Sequence, residues 1–157
     1  MSRESSGPQP ELSRLVGAYA AAVDARDLEA LRRLFHPDAT VTVRRGGGPE
    51  VHRGHAGLAG VIEALAPFQL TLHEVSSPVF AVEPDAEEAT GDCAVVAHHV
   101  RSTGEGDEAE SGRREASDLV LHGRYADRFR RGEDGAWRFA ARELRVLWTE
   151  KRSVRLA

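Results

Sequence analysis

Apolar positions in the N-terminal part of the chain recur at helical spacing. From Glu11 onward they fall three and four residues apart, which places them on one face of an amphipathic helix. The members of this stripe are Leu12, Leu15, Val16, Tyr19, Ala20 and Val23. The polar residues 24–27 interrupt the stripe, and Asp27 stands where a carboxylate can cap a second, short helix that stops at His36. Two consecutive helices are therefore predicted.

The apolar period then changes from helical to strand-like. Residues 40–43 alternate as a short strand, a glycine-rich turn follows at 46–49, and a third helix is predicted from Gly54 until Pro67 ends it. Beyond Pro67, four long stretches alternate as strands: 70–82, 89–101, 117–130 and 136–148. Three helices followed by consecutive long strands predict an α+β fold. We expect the helices to pack on a strongly curved, mainly antiparallel sheet that encloses a pocket.

Polar segments set the expected domain limits. Residues 1–10 lack an apolar signal core and are predicted to form a disordered arm, residues 11–149 a single domain, and residues 150–157 a C-terminal tail. Within the domain, residues 102–115 form an acidic loop that we expect to be mobile. No run of 18 apolar residues is present, so the chain is predicted to be soluble and cytoplasmic, without a membrane partner.

The composition excludes several classes of partner and of chemical site. The 157 residues are 41% apolar, enough for one core, and 21 basic against 25 acidic residues leave no excess positive charge for nucleic acid. The single cysteine, Cys93, excludes an intrachain disulfide. His52 and His55 flank a helix start without a third ligand nearby, so we predict no metal and no other cofactor. The seven histidines instead indicate acid–base chemistry near neutral pH.

Several short motifs, in this order, resemble the SnoaL-like family of the nuclear-transport-factor-2-like superfamily. They are Tyr19…Asp24-x-x-Asp27, Phe35-His36-Pro37-Asp38-Ala39, Thr71-Leu72-His73, Gly123-x-Tyr125-x-Asp127 and Asp134-Gly135-x-Trp137-x-Phe139-x-x-Arg142. The resemblance runs from Glu11 to Trp148 and implies a cone-shaped, cystatin-like roll. The superfamily includes scytalone dehydratase, limonene epoxide hydrolase and steroid isomerases, and also non-catalytic subunits. It further implies a homo-oligomer, a dimer or trimer built through the outer sheet face.

The resemblance to scytalone dehydratase points to two histidines. His73 stands where that enzyme has a catalytic histidine, which implies that it is the principal acid or base. His99 matches the second histidine, which implies a second proton donor or a substrate anchor. His98 and His99 are neighbours on a strand and must face opposite sides, and the comparison favours His99 for the pocket. A structural histidine bonded to a main-chain carbonyl is the alternative interpretation of His73.

Other polar residues are candidates for orienting these groups. Tyr125 could donate a hydrogen bond to an oxygen that gains charge, and Asp127 could hold a histidine in one tautomer or act as the base. Arg142 is expected to pair with Asp24 or Asp127, either structurally or as the centre of an epoxide-opening site. The predicted catalytic set is His73, His99, Asp24, Tyr125, Asp127 and Arg142. The predicted substrate-binding walls are Tyr19, Phe68, Phe80, Val95, Leu144 and Trp148.

These features predict a cofactor-independent cyclase, dehydratase or isomerase. Its substrate would be a small hydrophobic intermediate of polyketide or terpenoid type, as in antibiotic and other natural-product biosynthesis, processed by general acid–base catalysis. Two alternatives stay open. An epoxide hydrolase would place a carboxylate–arginine centre at the pocket floor, whereas a non-catalytic ligand carrier or structural subunit would fill the cone with apolar side chains.

Overall fold

The amphipathic stripe near the N-terminus forms helix α1 (Gln9–Asp24). It begins two residues before the predicted start, because proline at position 10 is tolerated in a first turn whose N–H groups lack helical partners. Helix α2 (Leu28–Leu34) begins after Asp27, whose carboxylate accepts the main-chain N–H of Ala30 at 2.8 Å, as predicted. Helix α3 (Gly54–Glu63) follows at Gly54.

The strands form one sheet in this computed structural model, which describes residues 7–102 and 114–157. Within those ranges the strands are β1 (Phe35–Arg45), β2 (Gly48–Arg53), β3 (Leu70–Ala81), β4 (Glu88–Ser102), β5 (Arg114–Arg131) and β6 (Trp137–Leu156). They are ordered β2-β1-β6-β5-β4-β3. Strand β1 runs parallel to β6 and every other neighbouring pair is antiparallel. The predicted α+β class, three helices on a mixed, mainly antiparallel sheet, is confirmed.

Three segments differ from the sequence prediction. The first is β1, which begins at Phe35 rather than at residue 40, because α2 already ends at Leu34. The glycine-rich turn closes a hairpin, and Gly48 is already the first residue of β2. This strand was not predicted, because it is too short to show a clear alternation of apolar and polar residues. The predicted tail at 150–157 is wrong, because β6 continues to Leu156 and pairs there with Arg114 of β5. Most of the predicted arm and of the predicted mobile acidic loop lies outside the described residues.

A β-bulge reverses the facing of the last part of β6. His122 pairs with Trp148 while Gly123 pairs with Val146, so Leu147 is the additional residue. A side chain at Gly123 would lie 2.6 Å from the main-chain oxygen of Arg145, so the close approach requires glycine. Trp148 consequently lies on the outer face, stacked on the His122 ring at 4.5 Å and 57% exposed. The prediction that Trp148 lines the pocket is therefore wrong.

The core lies between the helices and the inner face of the sheet. Aromatic rings dominate it: Phe35 stacks on Phe139 at 4.8 Å, and Phe129 lies 4.9 Å from Phe139. Cys93 belongs to this core, and burial raises the pKa of its thiol to about 11. A thiol so held is protonated at neutral pH and is not a nucleophile. None of the helices within the described ranges has the length and apolarity needed to span a bilayer.

The outer sheet face exposes apolar side chains, Leu70 and Leu72 at 50% each together with Trp148. Large exposed apolar groups commonly mark contact surfaces between proteins. The predicted homo-oligomer, a second copy covering this face, stays a prediction. Light scattering during size-exclusion chromatography should give a dimer or trimer mass, and Trp148→Glu should lower it. A monomer at micromolar concentration would contradict this prediction.

Candidate active site

The end of α1 places Asp24 against His73 of β3. One carboxylate oxygen, Oδ1, accepts a hydrogen bond from His73 Nδ1 at 2.7 Å, and the other accepts the main-chain N–H of His73 at 2.9 Å. The Thr71 hydroxyl also donates to Oδ1, at 2.9 Å. Because Nδ1 donates to the carboxylate, a neutral His73 ring keeps its lone pair on Nε2. The ring is therefore held in the tautomer that accepts a proton at Nε2.

The Asp24 carboxylate stays ionised in this position. Partial burial would raise its pKa, but the hydrogen bonds from the His73 ring, the His73 N–H and Thr71 outweigh that effect and lower the pKa below its ordinary value. A permanently charged carboxylate on Nδ1 also stabilises the imidazolium that forms when Nε2 takes a proton. The sequence predicted an orienting role for Asp24, and the structure gives it His73 as its partner.

Arg26 fixes the turn that carries Asp24, and sequence reasoning missed it. Its backbone adopts a left-handed conformation (φ 57°) directly after α1. One guanidinium nitrogen donates to the Thr71 hydroxyl at 2.6 Å, and the other reaches the main-chain oxygens of Leu65 and Phe68 at 3.4 and 3.3 Å. Arg26 thus ties α1, the segment after α3 and β3 together. Partners that are main-chain carbonyls far along the chain leave no signal in a single sequence.

His73 and His99 both line a cavity of about 80 Å³ between the helices and the sheet, which we call the inner cavity. The two rings meet edge to face, with centroids 5.7 Å apart. Tyr19, Tyr125 and Leu144 also line the inner cavity. The rest of its wall is largely aliphatic, including Val23, Val41, Val43, Val61, Leu65 and Leu121. The imidazoles of His73 and His99 and the two phenols therefore meet at a small space with a largely aliphatic wall, and β1 and β2 contribute the other polar lining residues.

The His99 ring is neutral at pH 7. Burial, and then the neighbouring His73, lower its pKa below the ordinary value of 6.5. Its Nδ1 donates to the main-chain oxygen of Leu119 at 3.2 Å, which leaves Nε2 as a hydrogen-bond acceptor. Of the two predicted roles, substrate anchor and second proton donor, this tautomer favours the anchor.

His98 faces the other side of the sheet, as alternation requires. There its Nδ1 bonds the Asp118 carboxylate at 2.8 Å, and Arg152 donates to the same oxygen at 3.3 Å. The outer face thus carries a second histidine–aspartate pair whose histidine does not reach the inner cavity, although Asp118 Oδ1 also accepts the main-chain N–H of His99 at 3.2 Å. This pair provides a matched internal control for the pair of Asp24 and His73.

The two tyrosines are hydrogen-bond donors. Burial raises the pKa of Tyr19 and raises that of Tyr125 well above its ordinary value of 10.0, so both phenols keep their protons. Their ring centroids lie 5.8 Å apart. Tyr125 is 2% exposed yet lines the inner cavity, and its role as a donor to a substrate oxygen stays a prediction.

Asp127 and Arg142 form a buried ion pair. Arg142 donates two hydrogen bonds to the two Asp127 oxygens, each at 2.8 Å, and the residues are only 1% and 3% exposed. The rings of Tyr19, Tyr125 and Phe139 surround the guanidinium, whose carbon lies 3.9 Å from the Tyr125 centroid. Neither member of the pair lines the inner cavity. The predictions that Asp127 holds a histidine or acts as the base are therefore wrong, because Arg142 occupies both of its oxygens.

The predicted walls divide into three groups. Tyr19 and Leu144 line the inner cavity, and Phe68 lines a neighbouring one. Val95 is buried in the core, and Phe80 packs on Phe129 at 5.9 Å, so neither lines the inner cavity and both wall predictions are wrong. Alternation places these side chains on the inner face, but they lie deeper in the cone, where apolar packing closes the space.

The hairpin of β1 and β2 adds three cavity residues that sequence reasoning missed: Arg45, Glu50 and His52. His52 Nε2 lies 3.1 Å from a Glu50 oxygen, and its ring packs on α3 at Gly60, where a Cβ would approach Nδ1 to 2.7 Å. The sequence signal is the pair Gly57 and Gly60 on α3, which leaves room for the His52 ring. This signal can be interpreted only when β2 is known to be a strand. Within the described residues no three histidine, cysteine or acidic side chains gather as metal ligands.

Fold and site together define an α+β roll of the nuclear-transport-factor-2-like superfamily, with an aspartate-held histidine on its cavity wall. The SnoaL-like domain family matches residues 9–143, and the chain belongs to that family.

Solved structures with this fold include three informative cases. A candidate scytalone dehydratase from Novosphingobium aromaticivorans is 27% identical, with a TM-score of 0.70 over 95% of this chain and 90% of that chain. A hexachlorocyclohexane dehydrochlorinase, LinA-type3 from Novosphingobium barchaimii, is 16% identical, with a TM-score of 0.71 over 92% and 89%. A protein with a cystatin-like fold from Nostoc punctiforme is 18% identical, with a TM-score of 0.65 over 88% of this chain and 90% of that chain. A search of curated protein sequences finds no significant match.

Proposed function

We propose that this chain is a cofactor-free lyase or isomerase in which His73 is the general base. The observation that carries the proposal is the 2.7 Å hydrogen bond from His73 to the ionised Asp24 on the wall of the inner cavity. This arrangement leaves Nε2 basic, and it keeps the ring oriented before substrate binds. A positioned base of this kind contributes about 10²–10⁴-fold to a proton transfer.

Dehydration illustrates the chemistry. His73 Nε2 removes a proton from the carbon next to a substrate carbonyl, and the electron pair of that C–H bond moves toward the carbonyl. The carbonyl oxygen gains charge and accepts a hydrogen bond from the protonated Tyr125 phenol. The C–O bond to a β-hydroxyl then breaks, and the His73 imidazolium returns its proton to the departing oxygen. Water leaves, and the ring is neutral again. Isomerisation uses the same base without loss of the hydroxyl.

Two observations support this class of reaction over the other candidates. The Asp127–Arg142 pair lies behind tyrosine rings and outside the inner cavity, so it does not offer the centre expected of an epoxide hydrolase. The similar structures include a candidate scytalone dehydratase and a dehydrochlorinase, whose names both describe eliminations. We extend the proposal to a small polyketide- or terpenoid-type intermediate as substrate, since the inner cavity is mostly apolar.

Loss of water from a panel of small β-hydroxy ketones, measured by mass spectrometry, tests this proposal. Wild-type protein should convert at least one member of the panel, and His73→Asn should lower its turnover by about 10²–10⁴-fold. His99→Asn should raise KM more than it lowers kcat, because His99 is an anchor. His98→Asn is the matched control and should keep wild-type turnover. Equal activity of the wild type and His73→Asn would show that His73 is not the base. Equal inactivity, while both proteins bind the ketones, would indicate a ligand carrier instead.

A further inference from the structure

A second cavity opens next to the inner one. It measures about 410 Å³ and shares His99 with the inner cavity, so the two spaces meet at that ring. We call it the outer cavity. Its lining residues are Phe68, His99, Arg101, Ser102, Ser117, Leu119 and Lys151.

The inner cavity cannot hold a biosynthetic intermediate by itself. Small-molecule sites commonly have volumes of about 300–1,000 Å³, several times the 80 Å³ available beside His73. The outer cavity borders the same His99 ring and is large enough to take the remainder of a substrate whose reacting carbon lies beside His73. The chemistry of the outer cavity consequently decides what the remainder of the substrate can be.

The described residues that line the outer cavity include two cations. Arg101 of β4 and Lys151 of β6 both line it, and no carboxylate appears among its described lining residues. The Arg101 guanidinium lies over the Phe68 ring at 5.3 Å, which orients it without neutralising it. The described residues provide no ion-pair partner for Arg101 or Lys151, whereas the acids that touch the inner site, Asp24 and Glu50, each lie against a histidine.

Strand register brings the two cations to one place. His99, Leu119 and Lys151 occupy one row across β4, β5 and β6, and Arg101 pairs with Ser117 in the next row. Adjacent strands are about 4.8 Å apart, so side chains two strands apart converge on a group bound above the strand between them. Lys151 reaches the inner face only because of the bulge at Leu147, and it is the sole lysine in the sequence.

We propose that the outer cavity is an anion subsite, and that the substrate carries a carboxylate at the end opposite to its reacting carbon. Arg101 and Lys151 bind the carboxylate oxygens, the Ser102 and Ser117 hydroxyls can donate to them, and the apolar body of the substrate passes Phe68 and Leu119 toward His73. Arg45 adds positive charge near His99, where it contributes to the lowered pKa of that ring. The assignment of this ligand as the substrate rests on the proposed function, whereas the anion subsite itself does not.

Two probes of equal length test the subsite: phenylbutyrate, which carries a carboxylate, and phenylbutanol, which carries a hydroxyl. Each is titrated into the full chain and followed by ¹⁵N–¹H NMR. The wild type should bind the carboxylate about tenfold more tightly than the alcohol, with shifts at His99, Leu119 and Lys151. Arg101→Met and Lys151→Met should each weaken carboxylate binding by about three- to tenfold while changing alcohol binding less than about twofold.

Controls separate this inference from the proposed function. Arg124→Met removes an arginine from the outer sheet face, with the same change in net charge, and should leave both affinities unchanged. His73→Asn should abolish turnover but keep the preference for carboxylate. Selective carboxylate binding by a chain without lyase activity would support the anion subsite and contradict the proposed function. Equal affinity of the wild type for the two probes, or equal losses for both probes in the Arg101 and Lys151 variants, would overturn the subsite.

Discussion

Asp127→Asn should destabilise the fold by about 3–5 kcal/mol, because it leaves the buried Arg142 guanidinium without a countercharge. Both side chains are almost inaccessible to solvent, so water cannot replace the lost interaction. For a domain of this size the melting temperature should fall by roughly 6–20 °C. Urea unfolding at pH 7 measures the free energy directly.

A surface pair on β4 and β5 provides the control. Asp92 and Arg124 pair across β4 and β5 with about half of each side chain exposed, so Asp92→Asn should cost less than about 1 kcal/mol. Replacing both buried partners, as Asp127→Leu with Arg142→Met, should recover most of the lost stability, since no unpaired charge then remains. Equal losses for Asp92→Asn and Asp127→Asn would contradict the account of a buried structural pair.

Asp24→Asn should lower kcat for the elimination by about 10²–10⁴-fold with little change in KM. The amide can donate to Nδ1, which would favour the wrong His73 tautomer, and it cannot stabilise the imidazolium. Circular dichroism should show that the fold is retained, because Arg26 still holds the turn after α1. Stopped assays over pH 5–9 give the pH profile of kcat/KM.

The matched variant for this prediction is Asp118→Asn, which changes the histidine–aspartate pair on the outer face. It should leave kcat within about twofold of the wild type, because His98 does not reach the inner cavity. A wild-type kcat for Asp24→Asn would show that His73 needs no aspartate, and the role assigned to their hydrogen bond would fail.

Local patterns were sufficient for most of the fold. Helical spacing predicted α1 and α2, and the identity of Asp27 was enough to predict the cap of α2. Period-two alternation located β3 to β5 within a few residues. Alternation failed where the pairing itself is irregular. The bulge brings Gly123 close to the Arg145 main chain, a contact that alternation does not encode, so Trp148 faces opposite to the predicted direction.

The candidate site was predictable only in part. His73 and His99 lie together on the cavity wall. This position could be predicted, because strand neighbours alternate between faces and the family resemblance indicated which face is the inner one. Their partners depend on tertiary geometry: Asp24 reaches His73 from a helix 49 positions earlier, and Asp127 is taken by Arg142. Arg26 and the β2 residues were missed because their contacts are with distant main-chain atoms or follow from an unpredicted strand.

Deuterium incorporation from D₂O into the carbon next to the carbonyl of a converted ketone tests the central claim most directly, because it measures proton transfer at His73 separately from the loss of water. Wild-type protein and His98→Ala should exchange this hydrogen at equal rates, and His73→Ala should exchange it at least about 100-fold more slowly with an unchanged melting temperature. Exchange by His73→Ala at the wild-type rate would contradict the proposal that His73, held by Asp24, is the general base.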